Sequence, residues 1–174
     1  KQKFPKKKSA SRAAVLILLY PLGNNWYFYL TKRTKTVEHH KGQISLPGGM
    51  LEKGESSQEA AIRETYEELG IKPQSINIIG PLTPFYIPIS GFNVFPFVGW
   101  IAKCPTLEIQ SKEVSKVFAP SVSSLMNPQN RKIKKSTILD QKVEIPYFSL
   151  NNEIVWGATS MILSEFKSIV KRIK

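Results

Sequence analysis

Apolar residues fall in short runs along this chain, and their spacing changes three times. AAVLILLY at 13–20 is uninterrupted, too short for a typical helix and suited to a strand covered on both faces. WYFYLTKR at 26–33 follows after Pro21, Gly23, Asn24 and Asn25, which predicts a hairpin of two strands. A polar stretch, TKTVEHHKGQ, then leads through the short apolar ISL to Pro47-Gly48-Gly49. Beyond it the period becomes helical. Ile62, Thr65, Tyr66 and Leu69 share one side of a helix, and Glu64, Glu67 and Glu68 share the other. The ends of this helix are marked by Ser56 with Glu59 three residues on, a capping-box pair, and by Gly70 at a left-handed stop. Pro73 argues against a further helical turn.

Downstream, INIIGPL, FNVFPFVGWI at 92–101 and VSKVFA at 114–119 read as strands. KIKKSTIL and VEIPYF form a second expected hairpin around Asp140-Gln141. Ala158, Met161, Ile162, Phe166, Ile169, Val170 and Ile173 recur at helical spacing and predict an amphipathic C-terminal helix. Strands on both sides of a mid-chain helix, with a second helix at the end, imply an α/β (α+β) fold whose mixed sheet is covered on two faces.

Composition narrows the setting. A length of 174 residues suits a single domain, here expected over 13–174, with 1–12 as a basic, mobile lead. The charge balance of 25 Lys and Arg against 13 Asp and Glu, net +12, favours anionic partners without choosing among them. Much of it lies in KQKFPKKKSASR, in RKIKK at 131–135 and in the last residues, where lysines ordinarily serve solvation. No motif interleaves basic and aromatic residues on one surface, so nucleic acid is not an expected partner. No run reaches the roughly 18 to 20 apolar residues of a membrane helix, so no membrane is expected either. One cysteine, Cys104, excludes an internal disulfide and fits a reducing cytoplasm. Monomer and homodimer both remain open.

The three glutamates pose a question for a basic protein, since like charges three and four residues apart on a helix repel. Water can screen them as a plain solvated face, and amphipathicity alone favours that reading. A bound cation can also relieve them. Carboxylate oxygens suit a hard divalent ion such as Mg²⁺, glycines let the main chain turn and offer a carbonyl, and Arg63 can brace the loop by pairing with Glu55, leaving the other acids to metal.

The wider spacing decides between them. Gly49, Glu55, Arg63, Glu64, Glu67, Glu68 and Gly70 satisfy G-x5-E-x7-R-E-x2-E-E-x-G, a pattern that resembles the Nudix box of hydrolases acting on nucleoside diphosphates linked to another group. The resemblance implies a Nudix-type α/β/α sandwich and Mg²⁺ or Mn²⁺ as cofactor. It assigns the metal to Glu64, Glu67, Glu68 and the carbonyl of Gly48, and gives Gly49, Glu55, Arg63 and Gly70 structural parts in the box. Glu64, Glu68 or the later Glu113 would take the proton of the attacking water.

YLTKRTKTVEHHKGQISLPGG at 29–49 is similar to a further signature, that of the coenzyme A diphosphatase branch. Leu30, Thr31, Arg33, Gly42, Pro47, Gly48 and Gly49 agree, while Thr34, Glu38 and Leu46 depart from it. TPFYIPISGFNVFPFVG at 83–99 and WGATSMIL at 156–163 resemble stretches of the same branch. This implies cleavage of coenzyme A to 3′,5′-ADP and 4′-phosphopantetheine, with Arg33 and Thr31 on the substrate. The alternatives are another substrate of the same chemistry (ADP-ribose, NADH, a dinucleoside polyphosphate or an oxidised nucleotide) and a non-catalytic nucleotide- or RNA-binding module of the same fold.

Overall fold

The apolar run at 13–20 becomes the inner part of a long strand, β1 (Ser11–Leu22), with side chains buried on both faces. In the computed structural model, which describes residues 10–34, 43–110, 112, 114–138 and 141–173, β1 organises the largest sheet. One edge pairs in parallel with β8 (Phe92–Trp100), from Ser11 opposite Phe92 to Leu19 opposite Trp100. The other edge is shared by two antiparallel strands, β5 (Gly48–Met50) along Ala13 to Val15 and β2 (Asn25–Phe28) along Leu19 to Leu22. Strand β6 (Asn77–Pro81) extends the sheet beyond β8, and β7 (Phe85–Ile87) pairs with the start of β8. The order is β2-β1-β8-β6, a mixed sheet.

Alternation along β1 separates two cores. Ala14, Leu16, Leu18 and Tyr20 pack with Ala60, Ala61 and Leu69 of helix α1 (Ser57–Leu69). Ile17 points the other way, into a cluster with Phe28, Phe148, Leu163 and Phe166, the last two from helix α3 (Gly157–Ile173). Each fully buried Leu contributes about 1.5–3 kcal/mol through its removal from water, so the two helices are held to opposite faces as the pattern predicts. Two smaller sheets complete the molecule. One has the order β4-β3-β9, from β3 (Leu30–Arg33), β4 (Ile44–Ser45) and β9 (Val114–Phe118). The other is β10-β11-β12, from β10 (Arg131–Ile138), β11 (Gln141–Leu150) and β12 (Glu153–Trp156).

The structure departs from the sequence reading at several points. The expected strand 26–33 is two strands parted at Tyr29: β2 stays with β1 while β3 pairs with β9. A strand that changes sheets cannot be told from one that does not by its apolar content. β1 also begins two residues earlier than expected, taking in Ser11 and Arg12, whose guanidinium lies 4.9 Å over the Phe95 ring. α1 gains no further turn before Pro73, as expected, but Pro73 opens a separate 3-10 turn, Pro73–Ser75, that was not anticipated, because a first helical position needs no donor. The short elements β5, β7, β12 and α2 (Val122–Met126) were not anticipated. On α3, Ile162, Leu163 and Phe166 are buried, but Met161, Ile169 and Ile173 are exposed. The helix packs through its first half, and Ile169 and Ile173 run on beside a groove lined also by Trp26, Ile79 and Trp100. Among the described residues no helix is long and apolar enough to cross a membrane. Residues 1–9 of the basic lead and Asp140 of the expected hairpin turn lie outside the described residues.

α1 starts as its sequence predicts. The Ser56 hydroxyl accepts from the Glu59 amide at 3.2 Å, and the Glu59 carboxylate accepts from the Ser56 amide at 2.9 Å. Gly70, at φ 71°, ends the helix in the left-handed region, its N–H donating to the Tyr66 carbonyl at 2.7 Å. Ser56→Ala removes one half of the box and should lower stability by about 1 kcal/mol. Urea denaturation with unchanged slope is the measurement, and a loss under about 0.3 kcal/mol would show the cap to be idle.

Candidate active site

Glu64, Glu67 and Glu68 stand three and four positions apart on α1, so their side chains rise from adjacent turns. What relieves the repulsion between Glu64 and Glu67 is Arg63. Its Nε donates to Glu55 Oε1 at 2.8 Å and its Nη2 to Glu55 Oε2 at 3.1 Å, a two-point fork. Nη2 also donates to the Met50 carbonyl at 2.9 Å. Nη1 lies between Glu64 Oε1 and Glu67 Oε2, 3.0 Å from each. The expected brace to Glu55 alone is therefore a wider clamp, because a guanidinium carries five donors and the fork to Glu55 uses two. Arg63 holds the Glu55 carboxyl below its ordinary range, and the Glu52 amide, donating at 2.9 Å, adds to this. The hydrogen bonds to Glu55 in turn raise the guanidinium's pKa.

The acids differ sharply in exposure. The Glu67 side chain is 53% exposed, whereas those of Glu64 and Glu55 are 15% and 13% exposed. Glu68 is buried, on the inward side of the helix with Ala60, Ala61, Thr65 and Leu69, while Tyr66 is exposed. The sequence reading has Tyr66 inward and Glu68 outward. The real packing stripe is rotated toward Glu68, which meets Thr31 of β3: Thr31 Oγ1 donates to Glu68 Oε2 at 3.4 Å. Thr31 is itself fully enclosed, so its hydroxyl faces the acidic helix and not a surface open to substrate.

Two glycines bring the main chain against this cluster. Gly48 sits in β5 opposite Val15 at φ 150°, and a Cβ there would meet the Ala14 carbonyl and the Val15 Cα of β1. Gly49 faces the other direction: a Cβ there would fall 2.4 Å from the carboxylate of Glu64. The side chain missing at Gly49 is thus the space that the Glu64 carboxylate occupies.

At the far end of α1, the carbonyls of Glu68 and Leu69 accept from the amides of Gln110 and Glu108 at 3.2 and 2.9 Å. These bonds tie the segment before β9 to the acidic helix. Glu113 lies outside the described residues, as do Glu38 and Gly42. Arg33 is placed in β3, opposite Val114 across an irregularity in register; its side chain is outside the described part. Nearby, Lys32 pairs with Glu153 at 3.2 Å, joining β3 to β12. That contact, the Met50 carbonyl and the bond from Thr31 escaped the sequence reading. A threonine at the end of the apolar run 26–30 was the only available sign of the last.

The donors gathered here are carboxylate and main-chain oxygens, the set that a hard divalent cation takes. Among the described residues, no three Asp, Glu, His or Cys side chains converge on a ready-made metal site; a guanidinium nitrogen stands between Glu64 and Glu67 instead. The Glu64 carboxylate, seated in the space a side chain at Gly49 would fill, and the oxygen chemistry of the donors fit a divalent ion.

Known proteins resemble this chain in sequence and in fold. A Nudix hydrolase 3 of Caenorhabditis elegans is 36% identical over 119 residues, covering 67% of this chain and 50% of its own length. A Pectobacterium atrosepticum protein described as "Uncharacterized Nudix hydrolase NudL" is 31% identical over 138 residues, covering 78% of this chain and 71% of that protein. The chain thus spans half the length of the nematode relative. RenU, a Nudix hydrolase from M. smegmatis, superposes with a TM-score of 0.66 at 14% identity, covering 95% of this chain and 88% of its own, which speaks to the fold. The NUDIX domain family model matches residues 10–140, and this chain belongs to that family.

Proposed function

We propose that this protein is a metal-dependent pyrophosphohydrolase that cleaves the diphosphate of coenzyme A or its derivatives to 3′,5′-ADP and 4′-phosphopantetheine, in the cytoplasm. One observation carries the hydrolytic part. Glu64 and Glu67 share a single guanidinium nitrogen, Glu68 lies buried a turn away, and glycine backbone presses against the Glu64 carboxylate. Acids placed so closely, in a protein of net charge +12, serve a cation better than they serve solubility. The choice of coenzyme A rests on the similarity of residues 29–49, 83–99 and 156–163 to the coenzyme A diphosphatase branch.

In this reading Glu64, Glu67 and Glu68, with the Gly48 carbonyl, would hold Mg²⁺ or Mn²⁺. Bound ions of this kind neutralise the diphosphate and lower the pKa of a water molecule. The chain's own residues supply the rest. Arg63 keeps Glu55 and the Met50 carbonyl in place, which fixes the loop between β5 and α1 independently of Glu64 and Glu67. Water adds to one phosphorus as the bridging oxygen leaves, and the water's proton passes to Glu64, Glu68 or Glu113. Of the two described candidates, Glu64 is the more accessible. Arg33 binds a phosphate of the substrate, for which a guanidinium fork is suited.

Incubation with coenzyme A or ADP-ribose in parallel, with Mg²⁺ or Mn²⁺, tests the reading by product analysis. Formation of 3′,5′-ADP from coenzyme A at the higher kcat/KM is expected, and Glu68→Gln should lower it on the order of a hundredfold with folding intact. Preference for ADP-ribose would leave the hydrolase and remove the assigned substrate. Gly49→Ala separates site from scaffold. Its methyl would meet the end of the Glu64 side chain first, at the cost of the Glu64–Arg63 contact alone, so stability should fall by only about 1 kcal/mol while kcat falls by about a hundredfold. Glu55→Gln should destabilise the protein at pH 7 by about 1–2 kcal/mol. Because Arg63 lowers the Glu55 pKa from its ordinary 4.5, Glu55 contributes above that value, and its contribution is lost as the pH falls through the depressed pKa. The gap between wild type and Glu55→Gln should therefore narrow progressively as the pH falls below the ordinary 4.5 in urea titrations; a gap that stays constant through acid unfolding would refute the ion pair.

A further inference from the structure

We infer that Thr31 and Ser45 are positioning residues for Glu68, orienting a metal-binding carboxylate from behind and not contacting the substrate; the inference rests on the metal-binding reading above. Three elements meet at this point. Glu68 comes from α1, Thr31 from β3 and Ser45 from β4, and β3 and β4 pair so that Thr31 stands opposite Ser45. Thr31 Oγ1 is 3.4 Å from Glu68 Oε2 and 3.4 Å from Ser45 Oγ. Thr31 is 0% and Glu68 3% exposed, so water does not compete freely for either group.

Hydrogen-bond inventory sets the direction of this relay. An ionised carboxylate only accepts, and a hydroxyl has one proton to give. With Glu68 ionised, Thr31 spends its proton on Glu68, and Ser45 donates to the Thr31 oxygen. Each bond polarises the next, which strengthens the final donor to the carboxylate. The hydroxyl pair therefore fixes Oε2 toward the sheet and sets the rotation of the whole carboxyl group. That rotation would decide how the group meets an ion shared with Glu64, one turn away. A buried carboxylate with its hydrogen bond removed is also costly, so the site has reason to keep the donor. Groups that orient a ligand from outside typically alter metal affinity or activity by about 10- to 100-fold when lost.

Mn²⁺ binding to the substrate-free protein, followed by electron paramagnetic resonance of the free ion, tests this without requiring turnover. Thr31→Val, which removes the donor at similar size, should weaken Mn²⁺ binding about tenfold. With coenzyme A it should lower kcat while leaving KM within about twofold, since a group behind the ligand touches no substrate. Thr31→Ser, which keeps the hydroxyl, should restore both to within about threefold of wild type. Circular dichroism and thermal melting check that each variant folds. If Thr31→Val does not fold, Ser45→Ala reads the same relay one step back, with an expected loss of Mn²⁺ affinity of about threefold. Unchanged Mn²⁺ affinity in a folded Thr31→Val, or in Ser45→Ala where Thr31→Val fails, overturns the inference, as does a Thr31→Ser as impaired as the valine variant. In either case the hydrolase reading stands. A wild-type protein that binds no Mn²⁺ overturns both.

Discussion

Like charges on adjacent helical turns must be compensated, and that constraint shapes this molecule around Arg63. One guanidinium holds Glu55 from the preceding loop, Glu64 and Glu67 from its own helix, and the carbonyl of Met50 from β5. The same contacts that stop the acids from repelling one another also tie the loop 51–56 to the helix it introduces. Removal of the cation would leave partly buried carboxylates uncompensated, which is far worse for a fold than never having had them. The acid cluster is therefore an integral part of the scaffold.

Around that clamp, the sheet provides the reference frame. β1 pairs along one edge with β8 and divides its other edge between β5 and β2. The β5 pairing is what delivers Gly48 and Gly49 to the acidic helix. Gly48 is pressed to β1, where no Cβ fits, and Gly49 to Glu64, where a Cβ would displace the carboxylate. Two adjacent glycines thus answer two different steric demands, one from the sheet and one from the site. α1 is packed on the same sheet through Ala60, Ala61 and Leu69, so helix and glycines share one rigid support, as precise placement of chemical groups requires.

Legibility varied from element to element for identifiable reasons. The helix over 57–69 was readable to within a residue because its ends are written in local chemistry, the Ser56–Glu59 box and the left-handed Gly70. β5 was not readable, since Gly48-Gly49-Met50 has no strand character and becomes a strand only by pairing with β1. The division of 26–33 at Tyr29 was likewise hidden, because the apolar run from Trp26 to Leu30 crosses it unbroken and only the partners differ. In the site, the identities of the acids followed from spacing, but their environments did not. Helical periodicity put Tyr66 inward and Glu68 outward, and the structure reverses them because β3 offers Glu68 the Thr31 hydroxyl.

By itself the sequence determined the cluster of carboxylates, the arginine among them, the glycines before them and the family to which the chain belongs, all of which are fixed spacings within a few helical turns. Only the tertiary structure decided which carboxylate is buried, which cation lies between which acids, and that Thr31, 37 residues from Glu68 in the chain, stands against it. The physical reason is range. Capping, helical spacing and turn formation act over three to eight residues and leave a trace in order, whereas burial and pairing depend on which distant strand arrives alongside.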